Sequence, residues 1–301
     1  MCDTGDMRAT SPMFGAWVRG ARPRTLPAAI VPVAVGTAAA SGIGVDRWWA
    51  AGAALVVSLA LQVGVNFAND YSDGIRGVDT DRVGPTRLVG SGLVAPRAVR
   101  NAAFVSFGVA TISGLLVAAA VSWWLLLVGV VSVAAGWLYT GGPRPYGYMG
   151  LGEVFVFVFF GLVATLGTQF VVADRMTLEG VVAAVVVGLL AVALLVINNL
   201  RDIPGDSVSG KATLAVRLGD KQTRVLYAAV VVAAFIGIVL LGVLAPPALV
   251  GLLAVPLAIA PLRCVRHGDT GANLIPVLGA TARVQLVAGL LLAGGLALAA
   301  V

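Results

Sequence analysis

Long apolar runs broken at intervals by short polar stretches set the pattern of this chain. A transmembrane helix needs about 20 predominantly apolar residues. Nine segments approach that length: 25–43, 48–69, 98–120, 122–140, 151–173, 179–199, 223–244, 246–262 and 284–301. Tight turns at Val121–Ser122 and Pro246–Pro247 separate neighbouring runs, and the eighth run carries Pro256 and Pro261. Most connections are short, as compact bundles prefer. Two are not: the polar stretches after the second and sixth runs each extend for about 25 residues and are rich in Asp, Asn, Gly and Arg.

Composition agrees with a membrane reading. Of the 301 residues 59% are hydrophobic and 11% charged, against about 25% charged in a soluble domain. Too few polar groups remain to cover a soluble surface, which excludes a soluble enzyme and a disordered protein. The 38 glycines have no three-residue period, which excludes a collagen-like fibre. The class expected is an all-α polytopic membrane protein.

The net charge of +6 then reads as basic loops meeting anionic lipid, with no nucleic-acid partner. With the N-terminus inside, 18 of the 20 Lys and Arg fall on the inner side, and Arg47 and Arg175 fall outside. The positive-inside rule therefore predicts nine helices, N-in and C-out, in the plasma membrane, with both long polar loops cytoplasmic. Residues 1–19 read as a polar tail and 20–301 as one transmembrane domain. No continuous apolar h-region precedes a cleavage site near the start, so no cleaved signal peptide is expected. Cys2 and Cys264 make neither a disulfide framework nor a metal cluster.

The chemistry concentrates in the two long loops. The first holds Asn69, Asp70, Asp73, Asp79, Asp81 and Arg82; the second holds Asn198, Arg201, Asp202, Asp206 and Lys211. Six of the chain's 14 acidic residues lie here, at the ends of apolar spans where a buried carboxylate is expensive. Asn69 and Asp73 are spaced i, i+4, and so are Asn198 and Asp202, so each pair puts two oxygens on one helix face. Pro204 and Gly205 predict a break in the second helix, with Asp206 returning from a turn. The recurrence reads as a degenerate internal duplication, with two acidic clusters facing one central cavity. Hard oxygen ligands suit Mg²⁺, while the interleaved Arg and Lys suit phosphate. Together they point to a Mg²⁺–phosphate complex. The plainer alternative, solvated loop charge, leaves the matching spacing unexplained.

These residues resemble the UbiA superfamily of membrane prenyltransferases. The resemblance rests on Asn69-Asp70-Tyr-x-Asp73-x-x-x-Gly77-x-Asp79-Thr and on Asn198-Asn-Leu-Arg-Asp202-x-x-x-Asp206-x-x-x-Gly210-Lys211-x-Thr-Leu-Ala. Arg22-Pro-x-Thr25, Tyr139-Thr-Gly-Gly-Pro143, Gly150-Leu-Gly-Glu153 and the stretch Pro276 to Arg283 support it. It covers about residues 20 to 301, and the second segment leans towards the branch that prenylates 1,4-dihydroxy-2-naphthoate. In that branch Gly77 stands where many members of the superfamily have Asp, and the third carboxylate comes at Asp79. Where some relatives carry a Lys after the Tyr139 motif, this chain has Arg144 nearby.

The resemblance implies a Mg²⁺-dependent enzyme, with Mn²⁺ able to replace Mg²⁺, that joins a polyprenyl group from polyprenyl diphosphate to 1,4-dihydroxy-2-naphthoate with loss of CO₂. It implies Asn69, Asp73, Asp79, Asn198, Asp202 and Asp206 as the metal–diphosphate set, supported by Asp70 and Asp81. Arg82, Arg201 and Lys211 are the implied diphosphate donors. Asp73, Asp202, Asp206 and Tyr139 are the residues expected at the reacting groups, although Tyr139 reads equally as an interfacial anchor. Arg22, Arg24 and Arg144 are candidates for the anionic acceptor. Glu153, an ionisable group inside a span, is either a functional group or a partner that orients Arg144.

Gln62 and Gln169 are expected to bond between helices, and Gly108, Gly114, Gly129 and Gly188 to let helices approach closely. His267, the one histidine, reads as solvated. The Phe155–Phe160 run lines either a prenyl chamber or a packed core. Rival readings are the same fold acting on 4-hydroxybenzoate or homogentisate, and a cation-coupled transporter. The latter is disfavoured because both clusters sit at span ends rather than at the midplane.

Overall fold

The computed structural model describes residues 12–41, 43, 47–78 and 87–300. Asp79, Asp81 and Arg82 lie outside the described residues. Within them all regular structure is helical. The helices are α1 (Pro12–Ala21), α2 (Pro27–Ser41), α3 (Trp48–Ile75), α4 (Pro96–Ala120), α5 (Leu125–Leu138), α6 (Gly152–Ala173), α7 (Leu178–Val208), α8 (Leu214–Leu244), α9 (Pro246–His267) and α10 (Gly271–Leu298). Every apolar run is a helix, but among the described residues seven helices are long and apolar enough to cross a membrane. The other two, α2 and α5, have 15 and 14 residues, short of the about 20 that a crossing needs. The structure therefore carries seven candidate spans where the pattern predicts nine.

α7 is the axis of the bundle. Ala183, Val186, Val187, Leu190 and Ile197 are buried, and they pack with Val31 and Val35 of α2, Ile238 of α8 and Leu292 of α10. Gly161 of α6 meets α7 at Gly188: a Cβ added at Gly161 would lie 2.5 Å from the Gly188 Cα. Around this contact, residues 157–163 widen into a π-helix. Large side chains such as Ile112, Leu127, Val130 and Val243 point outward, as a lipid-facing surface requires. Trp48, Trp49, Trp123 and Trp124 are exposed at one end of the α3–α4 pair, the position of an interfacial aromatic belt. The acidic end of α3 is opposite.

The acidic segments are helix ends rather than loops. α3 carries Asn69, Asp70 and Asp73 on to Ile75. α7 runs unbroken through Pro204 and Gly205 to Val208, so Asp206 lies on the helix and not beyond a turn. Pro204 forfeits only its own N–H bond to the preceding turn, and it lies close to the helix end. Gly205 stays out of the left-handed region, whereas Gly210 enters it at φ 75° and makes the turn. The connection to α8 shrinks to residues 209–213. α8 itself is interrupted at Gly219, whose φ of 76° splits a short first turn from the long helix.

Candidate active site

A cavity of about 330 Å³ opens between α2, α3, α5, α6 and α7. Its wall is mostly apolar, with Leu61, Val128, Phe155, Phe159, Phe160 and Val163 among the lining residues. Its polar end is formed by Arg22, Asn66, Asn69, Tyr139, Tyr146 and Asn198. Asn69 and Asn198 are the leading residues of the two acidic segments, so the ends of α3 and α7 meet at one mouth. The Phe155–Phe160 run lines a chamber here, stacked in the series Tyr146–Phe155–Phe159.

One helical turn beyond the asparagines come the carboxylates. Asp73 is buried, and its two oxygens are divided. Oδ1 accepts from the Tyr148 hydroxyl at 2.6 Å, and Oδ2 accepts from the Lys211 ammonium at 2.9 Å. That ion pair joins α3 to the turn after α7. Asp202 is held by Arg201 of the same helix, which donates Nε to Oδ1 at 2.7 Å and Nη2 to Oδ2 at 2.8 Å. The same Nη2 donates to Asn198 Oδ1 at 2.9 Å. Asn69 Oδ1 accepts from Thr140 Oγ1 at 2.7 Å. Asp206 is half-buried a turn further on, and its carbonyl accepts the Lys211 amide at 2.9 Å. Among the described residues no three His, Cys, Asp or Glu side chains converge on a point. The oxygen set still fits Mg²⁺, an ion usually held by one or two carboxylates, with waters and substrate phosphates completing its shell.

Asp70 has a different task. Both its oxygens accept backbone amides, from Leu88 and Val89, each at 2.9 Å, so it clamps the chain returning to α4. Tyr139 lines the cavity next to Gly152. Of the acceptor candidates only Arg22 reaches the cavity. Arg24 and Arg144 are exposed and do not line it. Their positions in basic stretches carry charge to the surface, and the sequence has no signal for which face they take. Glu153 does not orient Arg144 as one expectation had it. It is buried and accepts from Asn199 Nδ2 at 3.0 Å through Oε1, and its Oε2 has no hydrogen-bond partner among the described residues.

Tyr148 was not singled out from the sequence. Besides bonding Asp73, its ring faces two cations, Lys211 Nζ at 4.8 Å and the Arg76 guanidinium at 5.5 Å from the centroid. Arg76 also donates to the carbonyls of Thr140 and Gly142. Burial, and then the adjacent Asp73 carboxylate, hold the Tyr148 phenol above its ordinary value, so it stays a donor. Its proximity to the Tyr139 and Gly150 motifs was the only sign of it.

Three glycines depart from expectation. A Cβ at Gly108, Gly114 or Gly129 would meet no heavy atom within 4 Å, so they do not mediate close packing; Gly114 and Gly129 face the cavity. Gly188 does pack closely. Gln62 bonds Thr25 Oγ1 at 3.0 Å, and Gln169 bonds the Ala39 carbonyl at 3.1 Å, both between separate elements. His267 is exposed.

The model of the family described as UbiA prenyltransferase matches residues 29–274. The chain is 52% identical over 284 residues to the 1,4-dihydroxy-2-naphthoate octaprenyltransferase of Mycobacterium tuberculosis, covering 94% of this chain and 97% of that protein. It is 35% identical to the protein of the same name from Escherichia coli, covering 93% and 94% of the two chains. Its fold is similar to that of a UbiA homologue from Archaeoglobus fulgidus solved bound to GPP and Mg²⁺, with a TM-score of 0.65 at 16% identity, over 95% of this chain and all of that one.

Proposed function

The chain belongs to the UbiA prenyltransferase family, and from that membership we propose that it transfers a polyprenyl group from polyprenyl diphosphate to 1,4-dihydroxy-2-naphthoate with loss of CO₂. The observation that carries this reading is the junction of an aromatic-lined chamber with two Asn/Asp helix ends at its polar mouth. A hydrocarbon tail needs the first and a diphosphate the second. The names of the relatives supply the acceptor.

In this reading residues 20–301 form one domain. All nine apolar helices lie in the plasma membrane, the short α2 and α5 completing their crossings with flanking residues such as the 3₁₀ turn Pro23–Thr25 before α2, and the acidic helix ends face the cytoplasm. Mg²⁺, or Mn²⁺ in its place, would be held by Asp73, Asp202 and Asp206 with Asn69, Asn198 and Asp79, and when bound it supplies positive charge to the departing diphosphate. Lys211, Arg201 and Arg82 donate to diphosphate oxygens. The allylic C–O bond breaks, with its electron pair leaving on the diphosphate. The walls at Phe155, Phe159 and Phe160 exclude the water that would quench the allylic cation, and their π-faces favour positive charge. Arg22, at the mouth, faces the naphthoate carboxylate, and Tyr139 positions the ring. The ring carbon bearing that carboxylate bonds to the prenyl carbon. The electron pair of the C–CO₂ bond then returns to the ring as CO₂ departs, leaving a prenylated naphthoquinol, the reduced form of demethylmenaquinone.

The test is an acceptor panel on purified protein in nanodiscs with Mg²⁺ and a polyprenyl diphosphate. Prenylated quinol from 1,4-dihydroxy-2-naphthoate is expected, with none from 4-hydroxybenzoate or homogentisate. Product from 4-hydroxybenzoate alone would overturn the acceptor assignment. Ion flux in liposomes without turnover on any acceptor would replace the enzyme reading with a transporter.

A further inference from the structure

Each acidic helix end already holds a cation. Asp73 is 3% exposed and Lys211 9%; Asp202 is 8% and Arg201 3%. A buried carboxylate without a partner is strongly unfavourable, so these pairs let an anionic site fold without metal. The same two bases are the ones suited to a diphosphate. An ammonium bonded to Asp73 Oδ2 takes one of that oxygen's lone pairs and sets a positive charge where a metal ion would approach.

The two pairs are built differently. Arg201 is fixed by three bonds, two to Asp202 and one to Asn198. Among the described residues Lys211 makes one side-chain hydrogen bond, to Asp73, and it lies over the Tyr148 ring. A lysine is a flexible point charge, whereas arginine is a planar fork suited to a fixed bidentate site. Tyr148 holds Asp73 Oδ1 independently of Lys211, and the ring face attracts an ammonium without fixing its direction.

We propose that Lys211 is an exchanging counter-ion: it holds Asp73 before substrate arrives and passes to a diphosphate oxygen as metal and diphosphate enter. Tyr148 is the positioning residue that keeps Asp73 aimed during the exchange. The proposal rests on the metal–diphosphate reading above and adds a thermodynamic consequence. Metal must displace Lys211 to reach Asp73, and diphosphate gives Lys211 a new partner, so each ligand tightens the other. By linkage the enhancement is the same in both directions.

The test uses the full chain in nanodiscs. Metal affinity without diphosphate is read from the electron paramagnetic resonance signal of free Mn²⁺. Diphosphate affinity is read with geranyl thiolodiphosphate, which is not turned over, with and without saturating Mg²⁺. In the unaltered protein, Mg²⁺ is expected to tighten the analogue about tenfold or more; equal affinities would overturn the exchange alone. Lys211→Met is expected to move the two affinities in opposite directions, metal-only binding tighter by about tenfold and analogue binding weaker by a similar factor. A purely structural lysine would weaken both or leave the metal unchanged, and either result overturns the proposal. Tyr148→Phe is expected to weaken both a few-fold, by about the strength of one charged hydrogen bond. No binding of the analogue to the unaltered protein at saturating Mg²⁺ would overturn the functional reading and the exchange with it.

Discussion

If the cavity is a prenyl chamber, Gly129→Phe should discriminate donors by tail length. Gly129 lies on the cavity wall, and a Cβ there meets nothing within 4 Å, so a phenyl ring enters empty space. A cavity that takes up a benzene molecule measures about 150 Å³, close to half of the 330 Å³ here. Gly129 stands ten residues before Tyr139 along α5, about 15 Å below the polar mouth at 1.5 Å per residue. The backbone of a two-isoprene tail has seven C–C bonds and spans at most about 11 Å, so it stops short of that level. An octaprenyl tail must pass it. Carbons pushed out of the chamber go into lipid that is equally apolar, so transfer itself costs little. The penalty is the steric one, about 1–3 kcal/mol, or about 5- to 150-fold in kcat/KM. The assay compares kcat/KM for geranyl and octaprenyl diphosphate in the unaltered and substituted proteins. A loss confined to the octaprenyl donor is expected. An equal loss on both donors, or none on either, would refute the assignment of this cavity to the tail.

Other outcomes follow from the same geometry. Asp70→Ala leaves the Leu88 and Val89 amides without their acceptor, at about 1–3 kcal/mol for each buried group left unsatisfied; a lowered Tm and faster proteolysis at 87–95 are expected, with a smaller effect for Asp70→Asn. Gly161→Ala forces a Cβ within 2.5 Å of Gly188 Cα and 3.0 Å of the Ala184 carbonyl, so overpacking should destabilise the bundle by about 1–3 kcal/mol. Gly167→Ala, where nothing lies within 4 Å, should leave the Tm unchanged or raised. Chelation by EDTA should abolish turnover while far-UV circular dichroism is unaltered, because Lys211 and Arg201 already neutralise the two buried carboxylates.

The helices were legible because lipid enforces a long, uninterrupted apolar run, and each of the nine runs is helical in the structure. Their lengths were not, since α2 and α5 have 15 and 14 residues. The i, i+4 pairs at Asn69 and Asn198 were readable because both segments are helical there. Asp206 was misplaced because Pro204 reads as a helix stop, yet near a C-terminus it costs a single backbone bond. Glycine in an apolar helix reads as packing, but the sequence does not say which face it takes. Gly188 lies against α6, whereas Gly114 and Gly129 lie against space. The same blindness to facing hid the exposure of Arg24 and Arg144 and left Tyr148 unnoticed. A tyrosine in a polar connection has no periodicity to announce that it meets Asp73 from 75 residues away.

In the proposed reaction the two acidic helix ends act as one site on a prenyl diphosphate and a naphthoate. The most direct measurement uses 1,4-dihydroxy-2-naphthoate labelled with ¹³C in its carboxylate, a polyprenyl diphosphate and Mg²⁺, and follows labelled CO₂ and prenylated quinol together by mass spectrometry. Equal amounts of the two products are expected, both lost in Asp73→Asn on α3 and in Asp202→Asn on α7. Prenylated quinol that persists in either variant would show that the helix ends do not act as one site, and quinol that forms without release of labelled CO₂ would exclude decarboxylative transfer.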